Sequence, residues 1–181
     1  METCSMKLKE HITNLYLELD LDSLQEVNDV FSGILDVFPR RLSETEANEV
    51  DFSILYKKYE NNMKHFFQRI FESNDNVIYV RPQIIINTSD NYLARKGFSS
   101  FDTKFIKKFL FYENELLQVS EHEELLKILE LSIREVVLSN FFTEEIAIKG
   151  NFDLSFPLFC LTEKSKKLVQ RYATEEKLFI R

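Results

Sequence analysis

The stretch IAIKGNFDLSFPL, residues 146–158, decides how this chain is read. Ile146 and Ile148 alternate with smaller or polar neighbours, and so do Phe152, Leu154, Phe156 and Leu158 beyond Gly150-Asn151. A period of two places one apolar row on one face of a strand. A Gly-Asn pair suits a two-residue hairpin turn. The stretch therefore predicts two antiparallel strands joined at residues 150–151. After it, Thr162 is positioned to cap a short helix running to Tyr172, and residues 178–180 to close the chain as a last strand.

Towards the amino terminus the period is helical. Ser120 with Glu123 reads as a capping box ahead of Leu125, Leu126, Leu129, Ile133, Val136 and Val137. Another helix is expected from Asp102 or Thr103, with Phe105, Phe109, Tyr112 and Leu116 on its buried side. Residues 88–100 read as a polar loop. Residues 77–87 are rich in β-branched side chains and predict a strand. Pro82 inside it cannot donate to a ladder, so that strand lies at a sheet edge or is broken there by a bulge. Residues 73–76, Ser-Asn-Asp-Asn, are turn chemistry.

The strongest helical pattern spans residues 52–71, where Phe52, Leu55, Tyr56, Tyr59, Met63, Phe66, Phe67 and Ile70 mark an unusually aromatic seam. Before it, residues 40–51 form a polar link. Two amphipathic helices are expected ahead of the link: residues 6–19, carrying Leu8, Ile12, Leu15 and Leu19, and residues 23–38. The second starts at a Ser23–Glu26 capping box, carries Leu24, Val27, Phe31, Ile34, Leu35 and Phe38, and is stopped by Pro39. The class that follows is α+β: amphipathic helices packed on a small, mostly antiparallel sheet. No segment rich in Pro, Gly or Ser divides the 181 residues, so one domain is expected over 1–181. It has a helical part at about 6–72, a mixed part at about 77–181 and a frayed start at 1–5, where Met6 offers an alternative first residue.

Composition narrows the function classes. The 17 Phe against 3 Gly and 3 Pro supply a core and argue against disorder. No apolar run approaches the roughly 20 residues of a membrane span, and the first ten residues do not resemble a signal peptide, so the cytoplasm is the expected compartment with no membrane partner. Gly33, Gly97 and Gly150 stand too far apart for a phosphate-binding loop. His11, His65 and His122 fall on three separate predicted helices, and Cys4 and Cys160 lack partners at zinc spacing. No metal, cofactor or catalytic residue is therefore assigned. Cys160, inside an apolar run, reads as a core thiol, His65 as flanking a core seam, and His11 and His122 as exposed. Arg81, within a predicted strand, is expected to form a buried ion pair.

Charge is the strongest remaining signal. The net charge is −7, yet residues 18–51 hold ten acids against Arg40 and Arg41, a balance of −8 that leaves about +1 for the rest. Such a field steers a basic partner and repels nucleic acid. The leading expectation is thus a non-enzymatic acidic interaction protein that binds and inhibits or regulates a macromolecule with a basic surface, in the manner of immunity or anti-defence proteins. The acids Asp20, Asp22, Glu26, Asp29, Asp36, Glu44 and Glu46 would steer, with Phe38 and Tyr92 as aromatic anchors.

Two alternatives stand beside it. One is an uncharacterised enzyme whose site assembles from distant residues, recognisable by a pocket on which titratable groups converge. The other is single-stranded nucleic-acid binding through residues 93–112, where Arg95, Lys96, Lys104, Lys107 and Lys108 interleave with Phe98, Phe101, Phe105 and Phe109. The spacing disfavours it, because Phe105 and Phe109 share one helical face and the lysines mostly another. The long aromatic helix also leaves homo-oligomerisation open.

Overall fold

The computed structural model of the chain describes residues 31–181 together with 2–3 and 10. The expected helix at 6–19, the start of the helix at 23–38, His11, Cys4 and the acids Asp20, Asp22, Glu26 and Asp29 lie outside the described residues. In chain order the elements are β1 (Glu2–Thr3), β2 (Phe31–Asp36), α1 (Glu44–Glu49), α2 (Phe52–Glu72), β3 (Ile78–Ile85), α3 (Asp90–Arg95) and α4 (Ser100–Leu110). There follow β4 (Leu117–Val119), α5 (His122–Ile133), β5 (Val137–Phe142), β6 (Ile146–Ile148), β7 (Phe156–Cys160), α6 (Glu163–Glu175) and β8 (Phe179–Ile180). The fold is α+β. One antiparallel sheet runs in the order β1-β4-β3-β5-β6-β7-β2-β8, and α2, α5 and α6 pack on it.

The α2 seam forms as its sequence predicts. Met63, Phe66, Phe67, Ile70 and Phe71 are all buried, and Phe67 meets the rings of Phe141 and Phe156 edge-on at centroid distances of 4.7 and 6.2 Å. Edge-to-face contact adds roughly 0.5–1.5 kcal/mol to the burial of such a pair. The helix ends in the expected turn, where Asp75 and Asn76 take φ of 54° and 57°, conformations that Asp and Asn tolerate better than most residues. Thr162 caps α6 through a reciprocal pair with Ser165, and the chain closes on β8 as expected.

Several expectations are corrected. Residues 31–36 are strand rather than helix, because Phe31 to Leu35 find a partner in β7 in the register Phe31↔Cys160 to Leu35↔Phe156. Tertiary pairing overrides the helical spacing of these residues. The strands at 146–148 and 156–160 do pair, Ile146 opposite Cys160 and Ile148 opposite Leu158, but seven residues connect them instead of a two-residue turn. Gly150 serves a different purpose: a Cβ there would lie 2.4 Å from the Ser139 carbonyl oxygen, so glycine is required by close approach to β5.

Val136 and Val137 were expected on the α5 helix, yet Val137 opens β5, a central strand whose six residues are all buried. A strand buried on both faces loses its alternation and reads as a continuation of the apolar helix before it. Pro82 sits at a bulge between β3 and β5, the second of the two expected outcomes, and lies beyond the three residues that pair with β4. The short β4 and α1 were not anticipated, and neither was α3 within the polar loop at 88–100. The N-cap of α5 is Glu121 without a side-chain capping bond, not Ser120. Arg81 reaches the surface and donates from Nε to the Asn114 carbonyl at 3.1 Å instead of entering a buried ion pair. His122 is half-buried with a solvent-inaccessible Nε2, against the expected exposure, whereas His65 is exposed and lies 3.4 Å from Glu176.

Candidate functional site

The acids expected to steer a partner are not equivalent in three dimensions. Asp36 is 3% exposed at the end of β2, and its charge is matched internally by Arg181, whose Nη2 lies 2.6 Å from Oδ2. Its carboxylate is thus engaged in an internal ion pair and is not exposed on the surface. Glu46 is the third residue of α1; it closes the capping box with Ser43 and takes the Arg40 guanidinium at 2.5 Å. Those bonds, from Arg40 first and then from the Ser43 backbone and hydroxyl, hold its carboxyl down to about 2. Glu44 is exposed on the same short helix, which contributes no buried residue. Phe38 is half-buried against the core, so it is not an exposed anchor.

Exposed aromatics occur elsewhere. Phe101 and Phe111 are 86% and 85% exposed, well above the 62% of Ile54 or the 42% of Ile84 and Phe152. Phe101 lies in the first turn of α4 and Phe111 is its C-cap, still in the right-handed helical region. Residues 101, 104, 108 and 111 recur at spacings of three and four and therefore form one stripe. Lys104 and Lys108 stand between the two rings, with exposed Lys107 at the margin.

The opposite face of α4 holds Ile106 and Phe109 in the core, with Phe105 stacked on Phe109 at 6.2 Å. Phe105 and Phe109 are thus the inward residues they were expected to be. Sequence reading missed that Phe101 and Phe111 fall on the lysine side; the spacing from 101 to 111 carried that signal.

Tyr92, the last expected anchor, is half-buried and lines a cleft of about 500 Å³ with Tyr56, Arg95, Lys96 and Arg134. Titratable groups do converge here, which is the mark set for an assembled enzyme site. Their pairing nevertheless suits binding better than proton transfer. Arg134 donates from Nε to Glu60 at 2.9 Å and also pairs with Glu130. Burial alone would raise the Glu60 carboxyl, but hydrogen bonds from Arg134 and Lys64 outweigh it and hold Glu60 below its ordinary range. Burial and a 2.5 Å bond to Glu135 push the Tyr56 phenol up. An ionised carboxylate and a protonated phenol are fixed charges and dipoles, not groups poised near neutrality.

Cys160 is buried in β7, and desolvation pushes its thiol up to about 12, as a core residue requires. Among the described residues no helix is long and apolar enough to cross a membrane, and no three His, Cys, Asp or Glu side chains are grouped to hold a metal ion. Comparison with known proteins yields no relative: no family model, no curated protein and no solved structure matches the chain.

Proposed function

We propose that the chain is an interaction protein that binds an acidic macromolecule, foremost an acidic protein surface, through the outer stripe of α4 and thereby regulates it. The observation that carries this reading is the pair of phenylalanine rings, 86% and 85% exposed, bracketing Lys104 and Lys108. Two rings this exposed on one lysine-lined helix face fit an interaction site in which apolar anchors are rimmed by charged residues. Each ring offers about 150–250 Å² of contact area. The lysines between them would steer an acidic surface and pair at the rim, while the rings supply most of the affinity. A helix presents a convex ridge, whereas single-strand binding calls for a basic groove with stacking platforms, so a protein surface fits better than nucleic acid.

The test is capture from source-cell lysate with and without nuclease, comparing wild type with the Phe101→Ser/Phe111→Ser double variant. A stoichiometric, nuclease-insensitive protein held by the wild type and lost from the variant is expected. The affinity loss should be at least 30-fold, about 2 kcal/mol or more, as for the removal of interfacial anchors. Both rings face solvent, so the variant should melt with the wild type. Nuclease-sensitive capture transfers the same stripe to nucleic acid, and equal capture by both proteins refutes the role of α4.

A second reading retains the acidic segment at 18–51 as a docking surface for a basic partner. It is favoured by α1, which buries nothing and exposes Glu44 and Glu49. Glu44→Lys/Glu49→Lys would abolish capture under that reading and leave it unchanged under the first.

A further inference from the structure

We infer that the cleft between α2, α3 and the α5–β5 turn is a binding site for a small organic anion that carries a phosphate or carboxylate on a planar ring. Its walls come from three elements whose relative positions are fixed by hydrogen bonds rather than by solvent-facing contacts. Tyr56 of α2 donates to Glu135 Oε1 at 2.5 Å, and Tyr92 of α3 donates to the Glu135 carbonyl at 3.0 Å. Both phenol tips are therefore tied to one residue. Glu135 itself has φ of 56°, a left-handed conformation that is costly for Glu and persists only where its surroundings impose it. Arg134 fastens the third side, donating from Nη1 to the Lys96 carbonyl at 3.2 Å while its guanidinium covers the Phe98 ring at 5.0 Å.

Among the described residues that line the cleft, Lys57, Arg95, Lys96 and Arg134 stand against the single acid Glu60, with Glu135 and Asp153 behind the Tyr56 wall. Lys96 Nζ lies 5.4 Å from the Tyr56 centroid, 5.6 Å from that of Tyr92 and 3.5 Å from Glu135, and Arg134 is matched by Glu60 and Glu130. Arg95 and Lys57 also line the cleft, are exposed, and have no acidic partner among the described residues. The Arg95 guanidinium sits 5.8 Å from the Tyr92 ring centre, which holds its charge at the rim. Rigid aromatic walls with unmatched cations recognise a planar body and an anionic head together, and a volume of about 500 Å³ falls within the range of small-molecule sites. Arginine suits the head because its fork meets phosphate or carboxylate with two donors. This site shares no residue with the α4 stripe, so it stands or falls independently of the proposed partner.

The experiment is amide correlation NMR of the full chain titrated separately with phenyl phosphate, benzoate, inorganic phosphate and benzyl alcohol. Phenyl phosphate or benzoate should shift the amides of Tyr92, Lys96, Gly97 and Glu135 saturably, and inorganic phosphate and benzyl alcohol at least about tenfold more weakly. Arg95→Gln should weaken the response about tenfold or more, the worth of a hydrogen bond to a charged group. Its melting temperature should not change, because the side chain is exposed. Tyr92→Leu should weaken the ring-bearing probes alone. The inference is overturned if neither ring-bearing anion shifts those amides saturably, if Arg95→Gln responds as wild type, or if inorganic phosphate binds as tightly as phenyl phosphate.

Discussion

Removing the Arg181 guanidinium should expose how deeply Asp36 is committed to the fold. Nη2 and Nε of Arg181 both reach Asp36 Oδ2, at 2.6 and 2.8 Å, and the Asp36 side chain is only 4% exposed. Its other oxygen accepts the Phe38 backbone N–H at 2.9 Å, and Ser155 Oγ stands 3.3 Å from Oδ2. In Arg181→Met the carboxylate would keep those two weaker partners and lose its counter-charge. Breaking a buried pair from one side costs about 3–5 kcal/mol. The Arg181 side chain is itself 23% exposed, so water can partly replace it and a loss just below that range, about 2–3 kcal/mol, is expected. For a chain of this size that is a fall in melting temperature of about 4–12 °C. Urea denaturation of Arg181→Met, Asp36→Asn and the double variant should give a coupling energy of about 1 kcal/mol or more. If Arg181→Met lies within about 0.5 kcal/mol of wild type, as surface substitutions do, Asp36 is a solvated acid and its exclusion from the docking surface is wrong.

Three further outcomes follow from single contacts. Gly150→Ala would press a methyl group to within 2.4 Å of the Ser139 carbonyl oxygen and 2.6 Å of its nitrogen, backbone atoms that cannot swing away. It should cost about 1–3 kcal/mol in thermal or urea denaturation, and a neutral result would show that the 149–155 connection moves freely. The Glu46 carboxyl, depressed to about 2 from its ordinary 4.5, favours the folded state above its unfolded value, and that contribution fades as pH falls from 4.5 towards 2. Side-chain carbonyl NMR should therefore place its midpoint near 2 in wild type and near the ordinary value in Arg40→Ala/Ser43→Ala. Cys160, pushed up to about 12 by burial, should resist a thiol reagent at mildly alkaline pH in the folded chain and react on denaturation, read by peptide mass mapping.

Elements whose burial is one-sided were legible in the sequence. The α2 seam, the α4 inner face and the Thr162 cap each print a period or a capping pair that local chemistry enforces. What stayed hidden depended on partners far along the chain. β5 is covered on both faces and prints only an apolar run, so Val136 and Val137 merged with the helix before them. β2 carries Phe31, Ile34 and Leu35 at spacings that suit a helix, and it is pairing with β7, about 125 residues later in sequence, that makes them strand. Gly150 shows the same limit: its identity was noticed, but the reason for it is the backbone of Ser139, which a hairpin reading does not bring near.

The candidate surfaces divide along the same line. The α4 stripe is a local property, since spacing places Phe101 and Phe111 with the lysines once the helix limits are known. Recognising it required only extending the pattern one residue past Leu110, to a C-cap that still follows the helix. The cleft is non-local: Tyr56, Tyr92 and Arg134 come from three elements, and the residue that gathers both tyrosines, Glu135, lies in a turn that the sequence assigned to helix. Net charge is a non-local quantity too. A total of −7 describes the whole chain, whereas binding responds to the field within about a Debye length, roughly 8 Å in physiological salt. On that scale Lys104, Lys107 and Lys108 lie together on one surface and Arg95 with Lys57 in the cleft, while Asp36 and Glu46 each have an arginine beside them. An acidic chain can therefore carry locally basic surfaces, and the α4 and cleft variants test whether those surfaces bind anions, on residues that do not overlap.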